Sequence, residues 1–111
     1  MRTDSTDAFF KILADPTRRR ILDLLAERGP LNVTQLAGEF PDLVTSGISK
    51  HLMGLRSAAL VDATRDGRQQ IYSLDAAAMA RRLAPWLKKY DLFWGAALER
   101  LRQLAEEEAE E

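Results

Sequence analysis

Ser46-Gly47-Ile48-Ser49-Lys50-His51-Leu52 sets small, hydroxyl and basic side chains among apolar ones, and Arg65-Asp66-Gly67-Arg68 follows shortly after. Hydroxyls such as those of Ser46 and Ser49 donate to and accept from base edges, and Gly47 removes bulk where a backbone must come close. Lys50 suits a phosphate or a guanine edge. His51, as a neutral donor, suits a phosphate or a base. Arg56 stands further along and is expected on the nucleic-acid backbone, while Arg65 and Arg68 suit phosphate or an adjacent minor groove. This is chemistry for recognising a polyanion with readable edges. It is poor chemistry for catalysis, because the chain has no cysteine, one histidine and no Gly-rich phosphate loop. Ser49 and His51 do not make a nucleophile–base pair, since residues two apart on a helix point about 200° from each other.

Such side chains need a rigid carrier. Ile48, Leu52, Leu55 and Ala59 recur at helical spacing and predict a buried stripe. Ser46, Lys50, Met53 and Ser57 then lie opposite, with Ser49 and His51 on the flanks and Thr45 as the expected cap. Val61 to Arg65 and Arg68 to Leu74 read as strands joined by a type I′ turn at Asp66-Gly67.

Upstream, Phe9, Phe10, Ile12 and Leu13 mark a helix over Thr6 to Ala14. Asp15 and Pro16 cap and start a second helix, with Ile21, Leu22, Leu24, Leu25 and Arg28 along its stripe, ended by Gly29-Pro30. Asn32 and Gln35 form a capping-box pattern for a third helix running to Phe40, and Pro41-Asp42 turns the chain. Asp75 caps a helix rich in Ala and Arg, and Pro85 either starts or kinks a long final helix. The expected fold is mainly α with a small β-hairpin wing, a dimeric winged helix-turn-helix.

The 111 residues, 46% of them hydrophobic, suffice for one core. No apolar run is long enough for a membrane span, and the polar Met1 to Asp7 is not a secretory signal. The lack of cysteine fits a cytoplasmic protein. The net charge of −1 conceals an asymmetry: five of the 17 acids lie in Glu106-Glu107-Glu108-Ala109-Glu110-Glu111, and without them the balance is +4. The expected organisation is a DNA-binding and dimerisation domain over residues 1–105 and an acidic tail over residues 106–111.

Leu83, Leu87, Tyr90, Trp94, Ala97, Leu101 and Leu104 form a heptad stripe, and Trp86, Phe93 and Leu98 add a second apolar edge. A helix apolar on two sides predicts a homodimer through the N- and C-terminal helices, with Phe9, Leu87, Tyr90, Trp94, Ala97 and Leu101 at the interface. Two reading helices about 34 Å apart then address two half-sites.

Phe10-Lys11-Ile12-Leu13-Ala14-Asp15-Pro16-Thr17-Arg18-Arg19-Arg20-Ile21-Leu22, the Ser46 to Leu52 segment, Leu60-Val61, and Gly67-Arg68 through Tyr72-Ser73-Leu74 together resemble the ArsR/SmtB family of bacterial transcriptional repressors. The resemblance covers nearly the whole chain from Phe9 to Leu104. It implies a dimeric winged-helix protein that binds an imperfect palindrome at a promoter as double-stranded DNA and releases it on a signal. One departure is the turn from Phe40 to Thr45, longer than is usual in the family, which shifts the entry of the reading helix.

Metal-sensing relatives, on the same resemblance, carry cysteines before the reading helix or Asp and His on the last one. Here Leu31 to Leu36 offers no ligand set, and Asp91 and Glu99 have no histidine beside them. No metal, thiol switch or cofactor is expected. An organic ligand, a protein partner or autorepression without a signal remain. The Trp86, Tyr90, Phe93 and Trp94 group reads as core or as a pocket lining. Arg18, Arg19 and Arg20 read as structural ion pairs or, for Arg18 or Arg19, as a grip on phosphate. The expectation is a sequence-specific DNA-binding repressor; the alternative is a winged-helix module that binds another protein and no DNA.

Overall fold

The computed structural model describes residues 5–110; Met1–Asp4 of the N-terminal segment and Glu111 of the acidic end lie outside the described residues. In chain order it contains α1 (Ser5–Leu13), α2 (Pro16–Arg28), β1 (Leu31–Asn32), α3 (Val33–Ala37), α4 (Thr45–Ser57), β2 (Val61–Asp66), β3 (Gln69–Leu74), α5 (Ala76–Lys88) and α6 (Asp91–Glu110). The strands form one antiparallel sheet in the order β1-β3-β2. This mainly helical chain with a small sheet is a winged helix-turn-helix. No helix is long and apolar enough to cross a membrane.

Local chemistry explains most boundaries. Asp15 accepts from the amides of Thr17 and Arg18 at 2.8 and 3.2 Å, and Pro16 begins α2 where a missing N–H costs nothing. Gly29 ends α2 at a φ of 83°. Asn32 and Gln35 complete the reciprocal capping box, with bonds of 2.7 and 2.8 Å.

Phe9, Ile21, Leu24, Leu36, Ile48, Leu52, Leu55, Leu60 and Val61 are fully buried side chains of one core. They come from α1, α2, α3, α4, the turn after α4 and the start of β2, and α4 is seated by Ile48, Leu52 and Leu55.

Five expectations are corrected. First, α3 stops at Ala37 rather than Phe40, because Glu39 and Phe40 donate only three residues back, to Leu36 and Ala37, and the chain tightens into turns. Second, Thr45 is the first residue of α4, not its cap; Val44 holds the cap position and supplies no side-chain bond.

Third, Ala59 is not on the buried stripe. It adopts φ 63°, with Leu60 N–H donating to the Leu55 carbonyl and Ala59 N–H to that of Arg56, which is a Schellman ending. The buried Leu55 and Leu60 supply its apolar contact.

Fourth, Asp66 pairs with Gln69, so Gly67-Arg68 is the two-residue loop. A positive φ at Gly67, at 66°, but not at Arg68 matches a type II′ turn instead of type I′.

Fifth, the heptad stripe is not on one continuous helix. α5 runs through Pro85 to Lys88, Tyr90 lies in the following turn, and α6 starts at Asp91. The acidic stretch is the end of α6 as far as Glu110, and Arg102 pairs there with Glu99 and Glu106.

Candidate nucleic-acid interface

The exposed side of α4 carries the residues singled out for chemistry. Ser46, Lys50 and Arg56 are exposed; Gly47, Ser49 and His51 are half-buried on the flanks. Met53, 66% exposed, joins them, and at helical spacing it continues the line from Ser46 and Lys50. Ile48, Leu52 and Leu55, with no exposed surface, pin the opposite side to the core, so the polar line is held in a fixed orientation.

The hairpin places Arg65 and Arg68 near its tip, both exposed. The corrected register alters their relation: Arg68 sits in the loop, whereas Arg65 is paired with Gln70 inside the ladder. Arg65 shares a face with Val61 and Ala63 and extends that face beyond the core. Leu31 pairs with Tyr72 and Asn32 with Ile71, and the Asn32 side-chain amide donates to Gln69 Oε1. The residue that caps α3 therefore also ties the hairpin to the helices. The two-residue β1 was not legible as a strand, because it has no alternation to detect.

The three consecutive arginines of α2 diverge. Arg19 donates to the Leu13 carbonyl at the end of α1. Arg20 lies 3.9 Å from Glu39, which Arg28 also reaches at 3.3 Å. These pairs are solvent-exposed and contribute little to stability. Arg18 turns to α4, where its Nε donates to His51 Nδ1 at 3.2 Å. Its guanidinium lies over Gly54, with Nη2 2.8 Å and Cζ 3.0 Å from where a Cβ would stand. Arg18 and Gly54 thus join the α4 surface. The available signal was a glycine in the middle of an amphipathic helix, where it weakens the helix unless something needs the space.

Phe9, expected at an interface between copies, is wholly buried in the chain's own core. Its ring lies 6.0 Å from that of Phe10, tilted by 55°, and it has no surface left to present. Leu87 and Trp94 are half-buried, while Tyr90 at 40%, Ala97 and Leu101 at 62% are exposed. An aromatic ladder runs Phe10–Trp86–Tyr90–Trp94, with centroids 5.4, 5.2 and 6.1 Å apart. Among the described residues no group of three or more His, Asp or Glu converges to hold a metal.

A model of a helix-turn-helix domain matches residues 13–63, from the end of α1 to β2. The chain is similar to the HTH-type transcriptional regulator Rv2034 of Mycobacterium tuberculosis, with 36% identity over 96% of this chain and 94% of the relative. It is also 46% identical to the HTH-type transcriptional regulator Rv0081 of that organism, over 68% of this chain. That match spans 66% of the relative, just under two thirds of its length. Among solved structures, the ArsR family transcriptional regulator RHA00566 superposes with a TM-score of 0.70 at 28% identity, over 82% of this chain and 97% of that one.

Proposed function

This chain belongs to the ArsR family of helix-turn-helix transcriptional regulators, and from that premise we propose that it is a cytoplasmic repressor that binds a palindromic operator as a homodimer. The observation that carries the reading is the α4 surface: an apolar stripe sunk in the core and a small, hydroxyl and basic line held outward beside the Arg65 and Arg68 hairpin. Ser46, Gly47, Ser49, Lys50 and His51 are assigned to the groove and its edges, and Arg56, Arg65 and Arg68 to the backbone.

The dimer reading is supported by α6, none of whose residues is buried although Leu92, Phe93, Leu98, Leu101 and Leu104 lie along it. An apolar surface of that extent fits a second copy. Leu87, Tyr90, Trp94, Ala97 and Leu101 are its assigned contacts, now split between the end of α5, the turn and α6. No metal is assigned, and no catalytic residue.

A gel-shift titration on DNA from its own promoter, repeated over a range of salt, tests the reading. The expected result is a specific complex that weakens steeply with salt. Absence of any complex at low salt, on any promoter fragment, would instead favour a winged helix that binds another protein.

A further inference from the structure

Arg18 meets no carboxylate among the described residues. Only its Nε is engaged by another side chain, on His51 Nδ1, and its Nη donors make no hydrogen bond or ion pair there. Arg28 and Arg20, in contrast, share Glu39. Oδ1 of the nearby Asp15 accepts from the Thr17 and Arg18 amides at the start of α2.

The seat of this guanidinium is built. Nη2, Cζ and Nη1 lie 2.8, 3.0 and 3.3 Å from the position a Cβ on Gly54 would take. Any other residue there would press on the guanidinium. Gly54 and Lys50, four residues apart, stand about 40° from each other around α4. Arg18 therefore borders the outward line that includes Lys50, although it belongs to another helix.

The partner is oriented too. A guanidinium donates only, so His51 Nδ1 is the acceptor of this bond. The imidazole thus holds the guanidinium through Nε and leaves its Nη donors open.

We propose that Arg18, held at Nε by His51, clamps one DNA backbone phosphate at the edge of the α4 surface with its Nη donors, and that Gly54 keeps open the room this guanidinium needs. The inference rests on the DNA-binding reading above. A guanidinium suits a phosphate bidentately, and the contact sets orientation rather than sequence. Arg18 thus adds to the contacts a residue from α2, where a phosphate grip and a structural role were both open on the sequence.

The test uses the full chain and a duplex selected for tightest binding from a randomised pool. Arg18→Gln should weaken binding roughly fivefold at about 0.15 M salt, and should make the slope of log K against log salt shallower by about 0.9 per protomer. Gly54→Ala displaces the guanidinium by its flexible end while favouring the helix, so its melting temperature should hold or rise as the same slope is lost. In a scan of duplexes with single methylphosphonates, one position in each half-site should weaken the wild type and leave both variants unaffected. Variants that bind with the wild-type slope, or melt earlier with slope and scan unchanged, make Arg18 a staple between α2 and α4 and overturn the clamp. A wild type that binds no DNA at low salt overturns the functional reading and the clamp together.

Discussion

The indole Nε1–H of Trp94 donates to the main-chain carbonyl of Leu87 at 2.6 Å, joining the first turn of α6 to the last turn of α5. Leu87 stands in the last turn of α5, where carbonyls lack the regular helical donor four residues on. The chain there makes a tight turn, with Tyr90 N–H donating back to the Leu87 carbonyl and Phe93 N–H to that of Tyr90. The break between α5 and α6 is thereby a bonded corner, and it decides where the exposed apolar side of α6 lies.

Trp94→Phe keeps an aromatic side chain but removes this donor. The expected cost is about 1 kcal/mol, or about 4 °C in melting temperature for a domain of this size. An unchanged melting curve would show that the bond does not hold the corner.

Leu101→Asp tests the surface beyond that corner. Leu101 is 62% exposed in the single chain, so the fold of each copy should survive the change. Light scattering should then report a monomer in place of a dimer, with helical content retained. A dimer of undiminished affinity would remove Leu101 from the interface.

Lys50→Ala and Arg68→Ala separate reading from positioning. The α4 change should weaken the best site by about 1–3 kcal/mol, more than unrelated sequences if Lys50 meets a guanine edge. The wing change should weaken all sequences alike and reduce the salt slope by about 0.9 per protomer. Both residues are exposed, so melting should be unaffected; a loss of folding would refute both assignments.

Ala59→Gly is predicted to stabilise the protein. Ala59 sits at φ 63° in the Schellman ending of α4, a conformation that glycine adopts without the Cβ clash. After the extra chain entropy of glycine is subtracted, a net gain of about 0.5–1 kcal/mol is expected by denaturant titration. A decrease would mean that the local backbone carries no such strain.

Much of the fold was legible because its signals are local. Asp15-Pro16 and Asn32 with Gln35 are caps whose bonds close within three residues, and Ile48, Leu52 and Leu55 mark a face by helical period alone. The outward placement of Ser46, Lys50 and Met53 follows from that same period. These features, and the resemblance carried by the Phe10 to Leu22 and Ser46 to Leu52 segments, lie in the residue order itself.

What the residue order left open depended on distant partners. Asp66-Gly67 and Gly67-Arg68 are both acceptable turns; the pairing of Val61 with Leu74, which buries Val61, selects the second and with it the place of Arg65. The heptad spacing of Leu83 to Leu104 is compatible with one helix, whereas the bonded corner at Leu87 and Trp94 divides it. Phe9 could serve either a partner or the core on its apolar character, and packing assigned it to the core. Arg18 and His51, 33 positions apart, meet only because α2 and α4 pack together, over a glycine that leaves room for a guanidinium. Period and caps act over a few residues, so sequence determined the elements and their faces. Register, corners and the company kept by each charge arise from contacts between elements, and tertiary structure decided those.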